Sequence, residues 1–181
     1  MKKNIGLILY LSFFLSTLNG QISFLQDHII KWQNGLKYTE DVMNTLPDSL
    51  WNFKPVKEEM SFREQVLHIT QNMYWLSSTY LNGESLGLKI KDEGQSIQEI
   101  KDQYLEIGKN TLGVLRNLKE NDLSERVNFF AGNLTRWQIF ELMHDHHTHH
   151  RGQMIVYLRL NGFKPPKYLS LIHISEPTRP Y

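Results

Sequence analysis

The chain contains no cysteine. That excludes a disulfide framework, a lipid-anchored amino-terminal cysteine, a c-type haem attachment and any thiolate metal site. Nor is there a glycine-rich phosphate loop after a strand-like run, or a serine framed as a nucleophile elbow. A metalloprotease helix would read HExxH, but His147 stands where glutamate should follow His146, so the base of that chemistry is missing. Ferritin-like di-iron sites need two ExxH motifs and further glutamates; only Glu141 with His144 fits the spacing.

Long apolar runs are equally scarce. The one example, Ile5 to Leu18, follows Lys2 and Lys3 and precedes the small residue Gly20. A spanning helix needs about 20 apolar residues, so residues 1–20 are expected to be a secretory signal peptide, placing the mature protein in the periplasm or outside the cell. At the other end, Leu169 to Tyr181 (LSLIHISEPTRPY) resembles a translated sequencing-library adapter. It is set aside together with His173, which leaves residues 21–168 as the expected domain. Without Lys2, Lys3 and Arg179 the 20 basic residues become 17, and without Glu176 the 19 acidic residues become 18. A net charge of −1 does not suit a nucleic-acid binder, which should carry a basic face.

Helical periodicity fills this interval. Ser23 with Gln26, Ser61 with Glu64 and Thr135 with Gln138 are three capping-box patterns. Each precedes apolar residues at spacings of three and four. The first helix carries Leu25, Ile29, Trp32, Leu36, Met43 and Leu46; the second carries Phe62, Val66, Ile69, Met73, Leu76 and Tyr80. A third helix starts near Ser96 with Ile97, Ile100, Tyr104, Ile107, Val114 and Leu118, and the fourth runs from Thr135 to about Leu160, stopped by Asn161 and Gly162. Residues 120–134 break the pattern and are expected to be loop, with a short extended piece at Val127 to Phe130. Four amphipathic helices predict an all-α, antiparallel four-helix bundle.

What the chain has in abundance is histidine, five of its eight within His144 to His150 (HDHHTHH). At about 100° per residue, His146 lies about 40° from His150, in line with Ile139, Met143, Met154 and Tyr157. His147 falls on the flank at roughly 60°, with His149 and His144 at about 100° and 120°. The i, i+4 pair His146 and His150 is therefore expected in an apolar stripe, where two neutral imidazoles can grip one metal ion. His144, His147 and His149 are expected to face solvent or loops. A third ligand must come from a neighbouring helix: His68 is the best candidate and His28 the reserve, while for His68 alone a hydrogen-bonded core histidine remains the alternative. Three imidazoles leave a coordination position open, as in catalytic rather than closed structural sites. Such a set suits Zn, Ni, Fe or Cu. Gln153, about 60° from His150, can hydrogen-bond a ligand histidine or only satisfy backbone. Arg151 is expected to form a structural ion pair, and Gly152 to be merely tolerated.

His68 in SFREQVLHI, HxxxHRGQ from His146 to Gln153, and the VYLRLNG and KPP that follow resemble the DinB/YfiT-like family of metal-binding proteins. The resemblance implies a four-helix bundle of up-down-down-up topology. It also implies one divalent ion, zinc or nickel, held by His68, His146 and His150, and a homodimer. Activities in that family include thiol-dependent S-transfer and metal-dependent hydrolysis; a secreted location favours hydrolysis, because low-molecular-weight thiols are cytosolic. The rival expectations are a non-catalytic divalent-metal-binding module and a metal-free interaction protein. No residue is assigned as general base, and no substrate is named.

Overall fold

The computed structural model describes residues 24–88, 90 and 94–170. Residues 1–20, read as a signal peptide, lie outside them, as do Ser23 and all of the carboxy-terminal segment beyond Ser170. Four long helices dominate: α1 (Phe24–Thr45), α2 (Phe62–Tyr80), α3 (Ile97–Asn117) and α4 (Arg136–Leu160). Between α3 and α4 lies a small antiparallel hairpin, β1 (Arg126–Phe129) with β2 (Gly132–Thr135), in the register Arg126 to Thr135 and Phe129 to Gly132. Short 3₁₀ turns occupy Asp48–Leu50 and Glu120–Ser124. Among the described residues no helix is long and apolar enough to cross a membrane.

The helix starts follow from local chemistry. Ser61, Ser96 and Thr135 each accept from the amide three residues on, while Glu64, Glu99 and Gln138 reach back to the cap amide. Each reciprocal pair satisfies two otherwise orphaned donors and is worth about 1 kcal/mol. α4 ends in a Schellman motif: the amide of Gly162 donates to Arg159 O at 3.0 Å and that of Phe163 to Leu158 O at 2.9 Å. Gly162 has φ +81°, which a side chain would strain.

Packing follows the apolar spacing. α1 packs against α3 and α4, and α2 packs against the same two helices. Trp32, Trp51, Phe62, Tyr104 and Phe140 fill the interior between them. Nearly all the expected core positions are buried; Leu36, Tyr80, Ile97 and Val114 are only partly covered. One expectation needs correction. The extended piece expected at Val127 to Phe130 is β1, but the rest of residues 120–134 is not mainly loop, because the 3₁₀ turn and the hairpin bury Leu123 and Phe129. Only four residues per strand carry the pattern, too short for alternation to stand out in the sequence. Of the segment set aside above, Leu169 packs against the core and Asn34 donates to Ser170 O at 3.0 Å.

Candidate metal centre

α2 and α4 lie side by side, and their facing turns bring three imidazoles together. His68 comes from the middle of α2, with His146 and His150 one turn apart on α4. Their ring centroids are 4.7, 4.6 and 4.5 Å apart. One ring nitrogen from each lies within 4.8 Å of the other two, and His68 Nε2 is 2.9 Å from His146 Nε2. Two nitrogens bound at about 2.0–2.1 Å to one tetrahedral ion stand roughly 3.3 Å apart, so these separations suit a shared cation after small side-chain shifts. No further His, Cys, Asp or Glu joins the three among the described residues.

Proton placement favours the same use. His150 Nδ1 donates to Gln65 Oε1 at 2.6 Å. That fixes the proton on Nδ1 and leaves Nε2 with its lone pair, as a metal ligand requires. Gln65 is held in turn: its amide donates to Gln153 Oε1 and to Tyr157 OH, the latter at 3.4 Å, while the Tyr157 hydroxyl donates to Met60 O at 2.9 Å. Burial lowers the pKa of His68, and burial together with the neighbouring rings brings His146 and His150 down to about 4. All three are therefore neutral donors at neutral pH.

Each sequence expectation has its place in this geometry. Gln153 supports Gln65, its side chain also lies within hydrogen-bonding reach of the His150 ring, and its own amide contacts His149 Nε2 at 3.1 Å. Gln65 was passed over as a site residue, and its position one turn before His68 was the available signal. His28 stays outside the cluster: its Nδ1 bonds Phe24 O at 2.8 Å and its ring packs against Phe24 and Trp137. Gly152 meets open space.

His144 and His147 overturn the expectation that they face outward. His147 is only 2% exposed and His144 9%. His147 Nε2 lies 3.0 Å from Tyr104 OH and 3.2 Å from Thr39 Oγ1, on the part of α4 turned toward α1 and α3. Arg151 belongs to the same buried group, and among the described residues it pairs with no carboxylate. Its Nη1 donates to Gly35 O at 3.1 Å, and the guanidinium sits 5.3 Å from the centre of the Tyr38 ring. Gly35 makes room for it, since a Cβ there would stand 3.2 Å from Nη1. The misplacement came from taking too narrow an apolar stripe. Phe140 and Leu158, both buried, lie at about 80° on the same wheel. They extend the covered arc past His147 and leave His146 at its edge, half-buried.

Comparison with known proteins fixes the relationship. Residues 24–177 match the model of the DinB family. The chain belongs to the DinB family. That match runs past Tyr168 into the segment set aside above. The uncharacterised protein YjoA of Bacillus subtilis is 22% identical over 147 residues, covering 78% of this chain and 92% of YjoA. The crystal structure of a DinB-like protein from B. subtilis, YjoA, superposes with a TM-score of 0.66 at 19% identity, over 79% of this chain and 98% of that one. A DinB-like protein from Bacillus cereus gives 0.63 at 20% identity, over 76% and 92%, and a conserved protein from Enterococcus faecalis gives 0.62 at 16%, over 77% and 97%. At these identities the likeness speaks for the fold: a mostly helical DinB-like architecture with a small hairpin.

Proposed function

We propose that this DinB-family protein is a metal-dependent enzyme, a hydrolase or a group-transferring enzyme, in which His68, His146 and His150 hold one divalent ion. Zinc and nickel are the metals favoured. The observation that carries the proposal is the convergence of three neutral imidazole nitrogens within 4.8 Å, with no fourth protein ligand among the described residues. When bound, the ion supplies Lewis-acid activation of a carbonyl-type group or of a nucleophile at its open position. The protein's own part is to orient and to exclude. Gln65 fixes the tautomer of His150, Gln153 and Tyr157 fix Gln65, and Val66, Ile69 and Met143 exclude water from the inner side. His146 and His68 are only half-buried and leave the outer side open to a reactant.

An up-down-down-up bundle, a homodimeric assembly and export through residues 1–20 belong to the same proposal. The deciding experiment is elemental analysis of untagged protein. It is expected to show about one zinc or nickel ion per chain, lost in His68→Ala. Absence of any bound metal after reconstitution would remove the enzymatic assignment. A panel of ester, amide and thiol-acceptor substrates, run on metal-loaded protein, then separates hydrolysis from transfer; no turnover on any of them favours a storage or structural ion.

A further inference from the structure

His68 also lines a cavity of about 670 Å³ between the outer turns of α2 and the segment that follows that helix. This volume lies within the range of small-molecule sites, roughly 300–1,000 Å³. Trp75, Leu88, Ile90 and Tyr74 supply apolar lining, and Gln71, Asn72 and Thr79 supply neutral polar groups. The Tyr74 hydroxyl lies 3.0 Å from Ser85 Oγ and ties the following segment against α2. Asn72 sits one turn beyond His68, and its Oδ1 is buried without a hydrogen-bond partner. A small turn of that side chain toward a ligand donor would satisfy it.

Trp75 is held from outside by the hairpin. Its ring is 5.8 Å from that of Phe129 and 6.2 Å from that of Phe130, at shallow angles of 34° and 30°. Phe130 is 82% exposed at the hairpin tip. A tryptophan packed against two tilted phenylalanine rings and still 37% exposed offers a platform for a further flat group. No described residue lining this cavity is Asp, Glu, Lys or Arg. By contrast, a second cavity of about 560 Å³ near the end of α2 is lined by Glu84, Glu106, Lys109 and Asp122 and by none of the three imidazoles.

We infer that this cavity receives the organic part of the substrate, and that the substrate is an uncharged molecule with a flat, aromatic or apolar portion beside a polar group that both donates and accepts hydrogen bonds. The flat portion lies on Trp75. The polar group meets Asn72 and points toward His68. A permanent charge placed here meets only neutral groups among the described lining residues, whereas an uncharged polar group finds donors and acceptors to match it, so the uncharged molecule is preferred. The inference rests on the metal-centre proposal, which says why a molecule bound beside His68 would react.

The test uses three nearly isosteric probes, benzamide, benzoate and benzamidine, with full-length protein in zinc-loaded and metal-free forms. Binding is followed by saturation-transfer NMR and tryptophan fluorescence. Benzamide is expected to bind both forms, about tenfold more tightly than benzamidine in either form and than benzoate in the metal-free form, where the carboxylate has no ion to bind. Trp75→Ala should weaken benzamide about tenfold with zinc content unchanged and helical circular dichroism retained, at a lowered melting temperature from the lost contacts with Phe129 and Phe130. Thr79→Glu, at an exposed helix position, should turn the preference toward benzamidine. Failure of benzamide to bind, equal binding of the three probes, or indifference to both substitutions overturns the inference. A protein with the expected selectivity that takes up no metal would instead lose its metal centre, and with it the cavity's role as a substrate site. A zinc-loaded protein without selectivity would lose the cavity assignment alone.

Discussion

One helix, α4, carries two histidine clusters on two of its sides, and they have opposite fates. Toward α2, His146 and His150 meet His68 beside an open cavity, with nitrogens directed at one another. Toward α1 and α3, His144 and His147 are sealed among Trp32, Tyr104, Thr39 and Arg151. Both clusters have imidazoles held neutral by burial, so lowered basicity does not separate them. Convergence and access do. On the inner side the nearby groups are hydroxyls and a guanidinium, and a cation placed beside Arg151 would be repelled. On the outer side three lone pairs can share an ion and a reactant can reach it.

The largest expected effect sharpens this contrast. His146→Ala should lower zinc affinity well beyond the roughly 10–100-fold that loss of a supporting partner costs, whereas His144→Ala should leave it unchanged. Competition with a chromogenic chelator measures both, and equal losses would erase the distinction between the two sides. Next, His147→Ala should destabilise the fold by about 2–4 kcal/mol, through a buried cavity and the lost partner of Tyr104 and Thr39. Chemical denaturation checks this, with zinc stoichiometry still about one per chain.

Gln65→Leu is expected to keep the three ligands but free the tautomer of His150, weakening zinc binding by about 10–100-fold. Calorimetry that shows wild-type affinity would reduce Gln65 to a packing residue.

The smallest effect lies away from both clusters, at the start of α2. Lys54 and the Ser61 backbone lower the Glu64 pKa from its ordinary value to about 2. The charged form is the one favoured in the folded state, so its stabilisation is present above about pH 4.5 and fades as pH falls toward about 2. Glu64→Gln should therefore cost about 0.5–1 kcal/mol at pH 7, a figure reduced for exposure to solvent, and almost nothing near pH 2. Urea melts at both values measure the difference.

The sequence by itself determined the elements and half of the site. Capping boxes at Ser61 and Thr135, and the Asn161–Gly162 stop, act through contacts within a few residues, so they can be read without knowing the fold. The pairing of His146 with His150 is likewise local, set by helical pitch. Tertiary structure decided the rest. Whether His68 reaches that pair, whether His147 lies inside or outside, and which group accepts the Nδ1 proton of His150 depend on how α2, α1 and α3 surround α4. A helix covered on two sides has no single apolar stripe, so polar residues such as His147 and Arg151 are buried wherever neighbouring helices supply oxygen atoms to receive them. Of the hairpin behind Trp75 only the first strand was legible, for a related reason. Its strands are too short to show their alternation, and their position is fixed by aromatic contacts with a helix some fifty residues earlier in the chain.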